Sequence, residues 1–225
     1  TLPLPDAYAW LYLISWALGM ASISLFLFIK DPGAEQTALS VEKRPSLAEL
    51  LVSLRQSLAV SNFRRYLVGR TLAICGFSVV PFIAVYYASE AGGMLAKDFV
   101  VSCYSAFTLA NAAGSLLIGR MGDRYGHRLG IIFGASMQVL SLTAAVLMPN
   151  ALGCIVTYAC AGLTSSCAFV AHYNLVLEMC PSENRVAHIS IANLIIGIPA
   201  SLAPLLAGVA AREWGIPILF VSSIL

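Results

Sequence analysis

Long apolar runs, almost free of Asp, Glu, Lys and Arg, alternate with short polar stretches along the chain. A bilayer core needs about 20 such residues per helix. Seven runs stand out, at 7–29, 66–89, 99–119, 129–148, 151–177, 188–211 and from 215 to the last residue. They predict an all-α, polytopic membrane protein whose seventh span is cut short. The first run is longer than a signal-peptide core and no basic residue precedes it, so it is expected to persist in the mature protein. Thr1 in place of an initiator Met, and an apolar run still open at Leu225, point to a piece of a longer polypeptide.

The polar stretches divide the chain. Residues 30–65 open with the breaker Pro32-Gly33 and carry charges of both signs, as a linker would. Within it, Ser46 and Glu49 have capping-box spacing ahead of Leu47, Leu50, Leu51, Leu54 and Leu58 on one helical face. That pattern predicts an amphipathic helix lying against lipid or packed on its own protein. The expected organisation is therefore one span at 1–29, a linker at 30–65 and six spans at 66–225. The last six form two triplets that enter the membrane from opposite sides, the topology of a 3+3 inverted repeat.

Composition agrees: 59% hydrophobic and 11% charged residues with a mean hydropathy of +0.84 exceed what a soluble core could bury. A net charge of +2 offers no footprint for nucleic acid. The position of the charges says more. Ten of thirteen basic residues, Lys30, Lys43, Arg44, Arg55, Arg64, Arg65, Arg120, Arg124, Arg128 and Arg185, fall in alternate connections; only Lys97 and Arg212 lie on the opposite side, with Arg70 about one turn inside a span. By the positive-inside rule, 30–65, 120–128 and 178–187 are cytoplasmic and the first residues lie outside, with an inner (plasma) membrane as the expected site. The six cysteines form no C-x-x-C pair, and neither a disulfide nor a metal or cofactor site is expected.

Small residues four apart (Ala106, Ala110 and Gly114; Gly130 and Gly134) predict close helix packing. Pro81, Pro199 and Pro204 each remove a backbone bond and are expected to kink or loosen their helices.

The most informative stretch is Gly119-Arg120-Met121-Gly122-Asp123-Arg124-Tyr125-Gly126-His127-Arg128. A tight link between antiparallel helices needs glycine where a side chain would clash or φ must be positive, which fits Gly122 and Gly126. Asp123 at a membrane edge needs a cation or helix-end amides, and Arg124 and Arg128 need anions. Glu178, Pro181 and Arg185 follow with Glu-x-x-Pro-x-x-x-Arg spacing. The first stretch resembles the cytoplasmic loop motif of the major facilitator superfamily, matching at Gly119, Gly122, Asp123, Arg124, Gly126 and Arg128, while His127 stands where Arg or Lys is usual. The second is similar to the end of that superfamily's tenth helix.

The resemblance implies that 1–29 is the sixth helix of a twelve-helix transporter, 30–65 its central loop and 66–225 its second half. It implies a secondary transporter moving a small solute by alternating access, with the missing N-terminal half as a partner and protons as a candidate coupled cargo. It places the substrate cavity near Tyr104, Asn111, Thr164, Ser165, His172, Asn174 and Asn193, led by Asn111 and His172. Glu178 is expected to face Arg124 or Arg128, and Asp123 to face Arg185 or a helix end, so that the five charges latch the cytoplasmic side. No Asp or Glu lies deep in the spans, so this half is expected to supply neither a proton-carrying carboxylate nor a strong counter-charge for a charged substrate.

Two other classes compete. A seven-helix receptor would share the Asp123-Arg124-Tyr125 triplet, but the 30–65 loop is too long, glycines flank the triplet, and no outer-loop cysteine is available. An intramembrane enzyme would draw on His172, His188 and Glu178, whose spacing forms no H-E-x-x-H or G-x-S-x-G pattern. Binding of a guanine-nucleotide-binding partner would favour the first, and metal in purified protein the second.

Overall fold

The computed structural model describes residues 4–26, 28, 52, 54, 55, 57–179 and 185–224. The predicted capping box at Ser46 and Glu49, together with Cys180 and Pro181, lies outside them, as does the Arg185 side chain. All helices and strands found among the described residues are helices. The chain forms two units, 1–46 and 47–225.

The first unit contains α1 (Leu4–Phe26), apolar through Tyr12–Leu25. The second contains α2 (Ser61–Phe77), α3 (Phe82–Ala88), α4 (Lys97–Tyr125), α5 (His127–Leu147), α6 (Ala151–Met179), α7 (Arg185–Trp214) and the short α8 (Ile216–Ile224). Among the described residues, five segments are long and apolar enough to cross a membrane: α2 with α3, α4, α5, α6 and most of α7. Helices satisfy every backbone polar group internally, which hydrocarbon demands. Several outrun their apolar stretches, as α4 does through Asp123 to Tyr125, because backbone bonding continues where water replaces lipid.

Proline explains the break between α2 and α3. Pro81 has no N–H to offer the Phe77 carbonyl, and Val80 N bonds it instead at 3.1 Å, tightening the chain into i→i+3 bonds through Ile83 N to Val80 O. α7 responds differently and runs unbroken through Pro199 and Pro204. Each proline there costs one bond, too little to stop a 30-residue helix.

α6 is the most enclosed helix, held between α4 and α5 by small side chains as the four-residue spacing predicts. An added Cβ at Gly114 would overlap Ser166 Oγ, one at Gly130 would meet Ala171 Cβ at 2.9 Å, and one at Gly134 would meet Cys167 Cβ at 2.6 Å. Gly162 is the tightest of these contacts between α6 and its two neighbours, because its added Cβ would collide with the backbone carbonyl of Phe107, which no rotamer change can move. Gly162→Ala is therefore expected to destabilise the bundle by roughly 1–3 kcal/mol, the usual cost of overpacking. Gly119→Ala, with open space around it, should change stability by under ~0.5 kcal/mol. Thermal unfolding of the two variants in detergent checks the contrast, and equal losses would refute it.

Antiparallel alternation gathers the start of α2, the end of α4, the start of α5, the end of α6 and the start of α7 at one end of the bundle. At the other end, Val79, Ile83, Tyr87, Leu142, Cys154 and Phe220 form an apolar core, with Tyr87 Oη 3.0 Å from Thr157 Oγ1. A second core, near the first end, joins Phe63, Leu67, Val176, Ile191 and Ala192. Leu54 and Leu58 pack against it, so the described part of the predicted amphipathic helix rests on its own protein. Outside these cores, Leu109, Leu116, Leu117, Leu205, Leu206 and Val209 stay exposed, a surface suited to lipid or another helical unit.

Candidate functional site

The glycine-rich link between α4 and α5 is one residue long. Gly126 bears it with φ +82 and ψ 153, a conformation open essentially to glycine alone. Its N–H closes the last turn of α4 on the Gly122 carbonyl at 2.8 Å. Gly122 has a different role. A Cβ there would run into the imidazole of His127, so the missing side chain is the seat of that ring.

The ring is buried and its Nδ1 lies 2.6 Å from Glu178 Oε1, joining the start of α5 to the end of α6. This corrects the expectation that Glu178 faces Arg124 or Arg128. A histidine folded over Gly122 reaches the carboxylate directly. The longer Arg124 and Arg128 point outward and are exposed, Arg124 over the Tyr125 ring at 5.6 Å. With Glu178 ionised, Nδ1–H donates to it. His127 Nε2 is buried without a hydrogen-bond partner among the described residues. Asp123 is exposed, and the other described ion pair is Arg212 with Glu213, far along α7.

The predicted cavity residues separate. Tyr104 stacks on Phe107 at 4.9 Å and meets Tyr158 edge-on, while Asn111 lies farther along α4. Thr164 spends its hydroxyl on Gly134 O at 3.2 Å and Cys160 O at 3.0 Å, and Ser165 is buried within α6. Asn174 is half-buried on α6. His172 and Asn193, by contrast, share a cavity of about 120 Å³ between α2, α6 and α7, with Tyr66 and Arg70 in its wall. Tyr66 Oη donates to the His172 carbonyl at 3.4 Å, and its ring is tilted against the His172 ring at 6.0 Å.

Arg70 is the residue that sequence reasoning undervalued. It lies in the cavity wall, and among the described residues its hydrogen bond is Nη2 to the Ala168 carbonyl, at 3.5 Å. The cation thus sits on a span and faces the pocket, a placement that an expectation framed on the absence of Asp and Glu did not weigh. The signal was present: an ionisable residue within a span marks a functional position by default. Among the described residues, no group of three or more His, Cys, Asp or Glu side chains is placed to hold a metal ion.

Comparison with known proteins adds two findings. The sequence profile described as "Major Facilitator Superfamily" matches residues 66–225. A Bacillus subtilis (strain 168) protein named "Putative metabolite transport protein YfiG" is 28% identical over 150 residues, 67% of this chain and 30% of the relative. The chain thus spans about a third of that relative's length. No solved structure matches the chain.

Proposed function

Since the chain belongs to the Major Facilitator Superfamily, we propose that it is the second half, with the preceding span and linker, of a secondary transporter for a small solute. The supporting observation is the profile match over residues 66–225, joined to a pocket walled by helices of that stretch. A relative named for metabolite transport favours a small metabolite as cargo. In this reading the chain lies in a lipid bilayer, works without catalysing a covalent change, and completes its cavity with an N-terminal half. His172, Asn193, Asn111, Tyr104 and Asn174 are its candidate solute contacts, and protons its candidate coupled cargo.

The reading includes alternating access with a cytoplasmic latch. Asp123, Arg124 and Arg128 are exposed at one end of the bundle and free of ion pairs among the described residues, so they suit partners on another unit. Glu178 braces α6 to α5 through His127 beneath them. Gly119 leaves the approach to that end open, and Arg185, with Pro181 four positions before it in sequence, completes the set. The test is substrate-dependent proton and solute flux into liposomes carrying the full-length protein. Flux driven by a proton or solute gradient is expected; its absence for every metabolite class tried, with folded protein, would defeat the proposal.

Orientation has its own check. The charge distribution favours cytoplasmic tags at 35–45 and after 185 and an external tag at 91–95. Protease protection in sealed vesicles of known sidedness reads this directly, and a tag at 38 cleaved from the outer face would reverse the assignment.

A further inference from the structure

We infer that the cavity between α2, α6 and α7 binds the carboxylate of a small, otherwise apolar organic acid, with Arg70 as its counter-charge. The inference rests on the transporter reading for its biological use, since the acid would be the cargo or a competitor for the cargo site. The binding itself is a separate claim.

Arg70 supplies the first ground. A guanidinium keeps its charge in proteins and carries five N–H donors in a fixed fork. Here one of them makes a single long contact, 3.5 Å to the Ala168 carbonyl, and none of the described carboxylates lies within 4.0 Å. Arg70 stands four residues into the apolar run that opens at 66, about 6 Å along it at 1.5 Å per residue, and lies in the cavity wall beside His172. A cation held on a span without an anion is costly, and such residues mark substrate pathways.

His172 supplies the second, independent ground. It is only 7% exposed, it lines the same cavity, and its Nδ1 has no hydrogen-bond partner among the described residues. A buried polar atom left unpaired is unfavourable, and a ligand oxygen or a water bridging to it would relieve that. Asn193, on α7, adds an amide to the same wall.

The remaining walls set the class of ligand. Val176, Ile189, Ala192 and Ile196 are apolar, so the pocket combines a few convergent polar groups with hydrocarbon surface, the usual make-up of a small-molecule site. A bare inorganic oxyanion would leave those walls facing nothing. A cavity of about 120 Å³ is close to the ~150 Å³ that holds benzene in an engineered apolar site. A branched acid of a few carbons fits that space, its carboxylate taken bidentately by Arg70.

The experiment measures equilibrium binding to the full-length protein in nanodiscs by isothermal titration, with 3-methylbutanoate, its amide, the corresponding amine and inorganic sulfate. Wild type should bind the acid at least tenfold more tightly than the amide or amine, and sulfate should compete weakly. Arg70→Gln should abolish the preference for acid over amide, and Arg70→Lys should retain part of it, because a point charge replaces a fork. Thermal stability of each variant is read alongside. If Arg70→Gln fails to fold, the wild-type ranking and the Arg70→Lys ratio still decide.

Several outcomes would overturn the inference: no saturable binding of the acid, equal binding of acid and amide, sulfate competing as well as the acid, or an unchanged ratio in a folded Arg70→Gln protein. The last, with a large loss of stability, would mean that Arg70 pairs with a protein carboxylate. None of these bears on solute flux, which tests the transporter reading separately.

Discussion

Replacing Gly122 by alanine is expected to unseat the His127 ring, break its 2.6 Å contact with Glu178 and destabilise the bundle by roughly 2–4 kcal/mol. Two costs combine. The new Cβ occupies the position of the imidazole, so the ring must rotate or α4 must shift, the kind of overpacking that typically costs about 1–3 kcal/mol. Moving the ring then removes a hydrogen bond to a charged group, worth about 1.5–3 kcal/mol when both partners are present. Glu178 is half-exposed and regains water once released, so the two costs do not simply add.

A double-mutant cycle separates this mechanism from helix propensity, which by itself favours alanine over glycine. In a His127→Ala background the obstructed ring is gone, and Gly122→Ala should cost less than ~1 kcal/mol or even stabilise. Thermal unfolding of the four proteins in one detergent gives the coupling energy. The same loss in both backgrounds would show that Gly122 serves something other than the histidine.

The pair also shows where sequence reasoning stops. Span positions, the need for glycine at Gly122 and Gly126 and the small-residue packing are legible because hydropathy, a positive φ and missing Cβ atoms are local demands, whereas the helices run closer together than the 120–128 loop suggested, leaving a one-residue link. The partner of Glu178 is not legible from charge counting. That reading weighs Arg124 and Arg128 by sign, whereas the fold chooses by reach: a ring five residues beyond Gly122 folds back over it, and the arginines extend outward. His127, read as a weakened member of a basic cluster, instead becomes a buried strut. The placement of Arg70 is illegible for a related reason. Its place in an apolar run is visible in the sequence, but whether it faces lipid or a cavity depends on how α2 meets α6 and α7. Likewise Thr164 and His172 look alike as polar residues on one helix, yet only the first has its side chain bonded to backbone carbonyls.

Neutralising Asp123 is expected to shift the full-length transporter toward its inward-open state about tenfold. The expectation follows from the proposed latch. Asp123 and Arg124 end α4 exposed, beside a link too short to fold back over them, and neither has an ion pair among the described residues. Charges so placed at a membrane edge gain most when a second unit closes on them, and that gain exists only in the closed arrangement. Losing 1.4 kcal/mol of it moves a two-state population tenfold, while stranding a partly buried partner typically costs more. Cys180, two positions beyond Glu178 in sequence, offers a reporter when the other five cysteines are replaced. Asp123→Asn should speed its labelling from the cytoplasmic side about tenfold and slow solute transport, and Arg124→Gln should do the same. Combining the two should add little, because either change alone removes the shared interaction. Glu178→Gln should behave differently, lowering thermal stability with a smaller change in labelling, because its partner His127 lies in the same unit. Equal labelling rates in wild type, Asp123→Asn and Arg124→Gln, with stability unchanged, would reduce these residues to solvated charges and remove the latch from the mechanism.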